Sequence, residues 1–257
     1  MSAPLLSPTT GEPVPVVARR NRLGLIFLIV ADFSGTMALI ISYCYLWSLN
    51  VNNGWAPNQQ TFGNNDLLKS RSPLPWAADW PFWAILLLAV IATVILWIGV
   101  RSLKAGHRGG LVAASAISLL VTAVAIVLQW WQITTFPFGP GNGAYASAVF
   151  LLTASTLVHL LLVAFLLLAI TNRTRAGLVS SGNPFQAKLV GYWMVWVCAS
   201  ILLGALCTTF LKASPNTTPA NFGEFSLYNP NAATPSPSPS ASPSGSASPS
   251  ASPSSSQ

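Results

Sequence analysis

Apolar residues run almost without interruption through five stretches of this chain, at approximately 23–49, 81–101, 110–131, 144–171 and 187–211. At about 1.5 Å of rise per residue each stretch crosses a hydrocarbon layer about 30 Å thick, so the pattern predicts five membrane-spanning helices. Polar punctuation marks their ends. The second and third are joined by Arg101-Ser102-Leu103-Lys104-Ala105-Gly106-His107-Arg108-Gly109-Gly110, a link short enough to force an antiparallel pair. Before the second, Ser72-Pro73-Leu74-Pro75-Trp76 and Asp79-Trp80-Pro81-Phe82-Trp83 combine helix-breaking prolines with aromatics that favour the headgroup level. The same belt signature recurs at Trp130-Trp131 and over 43–47, and it reads as interface anchoring rather than as a cofactor box.

Composition agrees with the pattern. Only 7% of residues are charged and 52% are hydrophobic, where a soluble domain carries roughly 25% charge. With a mean hydropathy of +0.57, this is the composition of an integral membrane protein. The formal net charge of +7 raises the question of nucleic acid, but the basic residues fall in short clusters between apolar spans and line no solvated face, so no nucleic-acid partner is expected. Cys44, Cys198 and Cys207 lie inside or at the edge of apolar stretches without CxxC spacing, which points to helix packing and away from a disulfide or a metal.

The polar ends divide the chain further. Residues 1–21 form an expected flexible cytoplasmic segment with Pro8, Pro13 and Pro15; a basic n-region followed by a short apolar core is not seen in it, so the first span is expected to stay in the mature protein. The membrane domain covers 22–212. From 213 the apolar content falls, and from Thr234 the chain is a Pro/Ser/Ala tract that cannot bury a core and is expected to be disordered. Nine of the twelve Lys and Arg lie on one side of the predicted spans, at Arg19, Arg20, Arg22, Arg101, Lys104, Arg108, Arg173, Arg175 and Lys188. Lys69, Arg71 and Lys212 lie on the other. That bias places the N-terminus in the cytoplasm and the 50–80 loop, the 134–143 loop and the C-terminal tail outside; the membrane is expected to be the cell's inner (plasma) membrane. Asn216-Thr217-Thr218 matches a glycosylation acceptor on the outer side.

The spans carry two ionisable groups of chemical interest, Asp32 in the first and His159 in the fourth. A carboxylate in hydrocarbon costs several kcal/mol, so it is protonated, paired or turned toward a protein interior. Two readings of Asp32 stand: a functional site, or an acid near the interface held by a snorkelling Arg of the 19–22 cluster. His159, among leucines and Val158, reads first as a neutral hydrogen-bonding residue between helices. A transporter of charged solutes needs a relay of several acids or bases, and one His gives little for haem ligation. Small residues at i and i+4 mark packing seams at Ser34 and Ala38, Ala144 and Ala148, and Ser200 and Gly204.

Over 22–210 the motifs come in an order that resembles subunit III of the haem-copper oxidases, in its five-helix form. Ala31-Asp32 stands where that family has a Ser-Glu pair, and Leu128-Gln129-Trp130-Trp131-Gln132 followed by Phe136-Pro137-Phe138 is similar to its Leu-Gln, Glu-Tyr run. Gly143-Ala144-Tyr145-Ala146-Ser147-Ala148-Val149-Phe150 resembles its Gly, Tyr, Gly-Ser, Phe-Phe opening. The stretch 153–159 resembles the Thr-Gly-Phe-His-Gly-X-His core with its last His retained, and Tyr192-Trp193 matches the Tyr-Trp of the last helix. Thr156, Gln132, Met194 and Val197 stand where the family has His, Glu, His and Asp.

The resemblance implies an all-α, polytopic bundle of five transmembrane helices and an accessory role. Such a subunit carries no cofactor and no active site of its own; haem and copper belong to partner subunits. Its implied partners are oxidase subunits I and II and membrane phospholipids held in a cleft. Asp32 takes the place of the family's buried carboxylate near proton uptake or the lipid cleft, and His159, Gln129, Tyr192 and Trp193 those of helix-core hydrogen-bonding residues. Alternatives are an accessory protein of a nitric oxide reductase, a small-solute carrier using Asp32 and His159, and an assembly factor or anchor.

Overall fold

The computed structural model describes residues 11–50, 54–56, 74–182 and 184–215. Its architecture is all-helical: α1 (Val14–Leu49), α2 (Trp80–Lys104), α3 (Arg108–Thr134), α4 (Ala144–Arg175) and α5 (Phe185–Phe210). All five are long and apolar enough to cross a membrane. The protein is a multi-pass helical membrane bundle. The 57–73 stretch with Lys69 and Arg71, the Asn216 acceptor and the 216–257 tail lie outside the described residues.

Helix α1 starts earlier than the apolar pattern predicts. Residues 14–21, expected as part of a flexible leader, form its first turns, with proline in the first turn where a missing N–H costs nothing. At 36 residues it reaches about 54 Å, well beyond a hydrocarbon layer, so the turn bearing Arg19, Arg20 and Arg22 projects past the apolar zone. There Arg20 pairs with Glu12 at 3.0 Å. Arg101 and Lys104 close α2, and Arg173 and Arg175 close α4, where cations complement the helix C-terminal dipole.

Helices α2 and α3 make the most extensive pair, joined by the short basic link. With α4 and α5 they enclose a core built on Ala92, Leu96, Leu103, Leu111, Leu160 and Leu167. One close approach is at Gly99 of α2, where an added Cβ would stand 2.5 Å from Cβ of Ala114 on α3. Helix α1 lies outside this group and packs chiefly on α5 and α4. Only 6% of its most apolar window is buried, against 33–39% for the others. What holds α1 is therefore a few specific contacts, and one of them is the polar site described below.

At the opposite end to the arginines an aromatic cluster joins α1, α4 and α5 through residues 54–56. Trp55 meets Tyr43 and Tyr145 edge to face. The backbone carbonyls of Gly54 and Trp55 accept the first N–H groups of α4, from Ala144 and Tyr145 at 2.9 and 2.8 Å. Three donors cover the carbonyls at and beyond the end of α5: Tyr43 Oη donates to Leu211 at 3.1 Å, Trp55 Nε1 to Lys212 at 2.6 Å and Trp47 Nε1 to Ala213 at 2.7 Å. Helix-end groups that lack intrahelical partners are thereby satisfied. Trp130 and Trp131 instead stay exposed, as anchors at the membrane surface do.

Candidate functional site

Asp32 of α1, His159 of α4 and Trp196 of α5 meet on one oxygen atom. Asp32 Oδ2 lies 2.7 Å from His159 Nε2 and 2.6 Å from Trp196 Nε1. The second imidazole nitrogen, Nδ1, is 2.7 Å from the Ser155 carbonyl one turn back on α4. That carbonyl can only accept, so Nδ1 carries a hydrogen. In a neutral ring Nε2 is then a bare acceptor, and facing an acid oxygen it needs a proton between them. The pair accordingly holds either imidazolium and carboxylate, or imidazole and carboxylic acid. In both forms its net charge is zero, and in both Oδ2 still accepts the Trp196 N–H.

This explains how an acid sits within an apolar span. Ten residues separate Asp32 from Arg22, about 15 Å along the helix, so the carboxyl lies deep in the apolar zone and its partner is the imidazole rather than a snorkelling Arg. A neutral pair avoids most of the desolvation cost of a lone ion. The His159 side chain is 9% exposed and that of Asp32 28%, so the acid forms the outward face of the pair. Phe33 meets Trp196 edge to face at 5.7 Å, and Trp193 stacks on the His159 ring at 6.3 Å and 20°.

Trp196 escaped the sequence reading. The signal available was its depth: it lies a dozen residues inside α5, away from either aromatic belt. The other expected residues scatter. Gln129 of α3 is buried and its Nε2 donates to Gln132 Oε1 at 3.1 Å, in a separate polar spot beside Thr156 and Gly204. Tyr192 turns outward, with its ring against Trp97 at 5.4 Å and 45% exposure. Trp193 is buried, and its Nε1 has no hydrogen-bond partner among the described residues. Of the expected seams, Ser200 meets Thr36 at 3.5 Å between α5 and α1, whereas an added Cβ at Gly204 would meet open space.

Beside the site a groove of about 540 Å³ opens between α1 and α5. Leu25, Ile29, Val195 and Trp196 give it apolar walls, with Arg22 and Tyr192 contributing polar tips. Trp196 belongs to both features, since its ring walls the groove while its N–H points at Asp32. Among the described residues no three His, Cys, Asp or Glu side chains cluster as a metal would need.

Fold and site together define a multi-pass helical membrane protein whose one outlying helix is pinned by a partly buried acid–imidazole pair. No family model matches the chain, and no curated protein matches it in sequence.

Proposed function

We propose that the chain is a non-catalytic accessory subunit of a haem-copper terminal oxidase, similar to subunit III, that supports subunit I during aerobic respiratory electron transport. The observation that carries this reading is the Asp32–His159 bond. The two residues stand at the places of a carboxylate and an imidazole in separate motifs that resemble that family's, and they lie 2.7 Å apart on different helices. In this reading the N-terminus is cytoplasmic, the tail lies outside, and the membrane is the cell's inner (plasma) membrane. Haem and copper reside in the partner subunits.

The groove between α1 and α5 supports the expected lipid contact. Its walls suit an acyl chain, and Arg22 offers a cation at the level where an anionic headgroup lies. Asp32, on the outward side of the pair, can exchange a proton with His159 without creating net charge, which suits an accessory part in proton uptake.

The test is isolation of the chain from its native membrane in mild detergent. Co-purification of a polytopic haem subunit with oxygen-reducing activity is the expected result. A haem partner that reduces nitric oxide instead would move the chain to that reductase, and recovery without any haem partner would refute the accessory reading and favour a small-solute carrier.

A further inference from the structure

Cys44 and Cys207 are 163 positions apart in sequence, yet α1 and α5 run side by side in a fixed parallel register that brings them together. Asp32 meets Trp196 and Thr36 meets Ser200, both with an offset of 164. From Thr36, eight residues and just over two turns lead to Cys44. From Trp196, eleven residues and about three turns lead to Cys207, on the same face of α5 that meets Asp32. The 163-residue separation of Cys44 and Cys207 differs by one from that register, which sets the two at one level, and Tyr43, the neighbour of Cys44, packs in one apolar cluster with Cys207. All three cysteines are free, and Cys198 is apart from this pair, against Thr93 at 3.4 Å.

We propose that Cys44 and Cys207 form a dithiol site that closes to a disulfide by exchange with an external disulfide oxidant, tying α1 to α5. The chemistry is ordinary thiol–disulfide exchange. One cysteine loses its proton, and the resulting thiolate attacks a sulfur of the oxidant, forming a mixed disulfide and releasing the oxidant's other half as a thiol. The second cysteine loses its proton and displaces the remaining half, so the oxidant takes up two electrons and two protons and the Sγ–Sγ bond forms. The site sits in the last turns of both helices, at the end carrying the aromatic cluster, within a few residues of Leu49 and Phe210. Its consequence falls on α1, the helix with least buried surface, which a covalent tie would hold to the bundle where Tyr43 and Trp47 already reach the end of α5.

The experiment uses the full chain in detergent or vesicles, incubated with oxidised glutathione, then denatured and alkylated with a maleimide. Denaturation makes every free thiol reactive, so intact mass counts them. Expected is a fall from three labelled cysteines to one, with a linked peptide pair containing Cys44 and Cys207 that reducing agent separates. Cys198→Ala should retain the link, and Cys44→Ser or Cys207→Ser should abolish it. Three labelled cysteines after oxidant, a stable glutathione adduct without the link, or a link involving Cys198 would each overturn the proposal. The outcome is independent of the oxidase reading, since it requires no partner subunit.

Discussion

Removing the carboxylate of Asp32 tests whether the polar contact at depth holds α1 in place. In Asp32→Ala, His159 Nε2 and Trp196 Nε1 lose their common partner, with bonds of 2.7 and 2.6 Å abolished. Interhelical hydrogen bonds within membranes average about 0.6 kcal/mol and reach about 1.7, so two of them amount to about 1–3 kcal/mol, toward the lower end because the acid is partly exposed. Asp32→Asn is the sharper variant. A single atom must face both ring nitrogens: an amide oxygen there satisfies Trp196 but opposes the bare Nε2 of neutral His159, and an amide nitrogen satisfies His159 but opposes the Trp196 N–H. Asparagine should therefore recover about half the loss, and no rotation of its amide should recover all of it. The measurement is thermal unfolding of the purified protein in detergent, for Asp32→Ala, His159→Ala and the double variant. Coupling of about 0.5–2 kcal/mol between the two changes is expected. Additivity within about 0.5 kcal/mol, or full recovery by asparagine, would refute the reasoning.

Other expected outcomes follow from the same packing. Gly99→Ala forces a Cβ against Ala114 and should cost about 1–3 kcal/mol, whereas Gly204→Ala enters open space and should leave the melting temperature unchanged; equal effects in the same unfolding assay would contradict the helix approaches described. Tyr43→Phe removes the donor to the Leu211 carbonyl and should lower stability by about 1 kcal/mol, with proteolysis after residue 211 becoming faster than in the parent protein. On the proposed oxidase role, Asp32→Ala should assemble with its partner subunits and start turnover normally but lose activity over repeated cycles. Loss of the first turnover, read by rapid mixing with oxygen, would give the acid a more direct part than an accessory subunit has.

The aromatic arrangement shows how one residue class serves two purposes. Trp130 and Trp131 remain exposed, at the level expected of membrane anchors, while Tyr43, Trp55 and Tyr145 are buried and hold helix ends. A belt signature along the chain does not separate these roles. The difference is made by which backbone carbonyls and N–H groups lie within reach, and those come from elements far away in sequence.

Taken by itself, the sequence determined what local physics can determine: five apolar runs whose length matches a bilayer, the hairpin of α2 and α3 across a short basic link, and the presence of one acid and one imidazole that apolar surroundings would not tolerate unpaired. Its spans differed from the helices chiefly at their polar ends, most of all at α1, because helix formation continues beyond the hydrocarbon layer that the apolar pattern records. Only the tertiary structure decided what those residues touch. Asp32 and His159 are 127 residues apart, and Asp32 and Trp196 are 164 apart, so their meeting depends on how α1 lies against α4 and α5. The same register sets Cys44 level with Cys207, where spacing along the chain had argued against a disulfide. Gly99 rather than Gly204 proved to be the close approach, because a small residue permits contact but the neighbouring helix has to be there to make it.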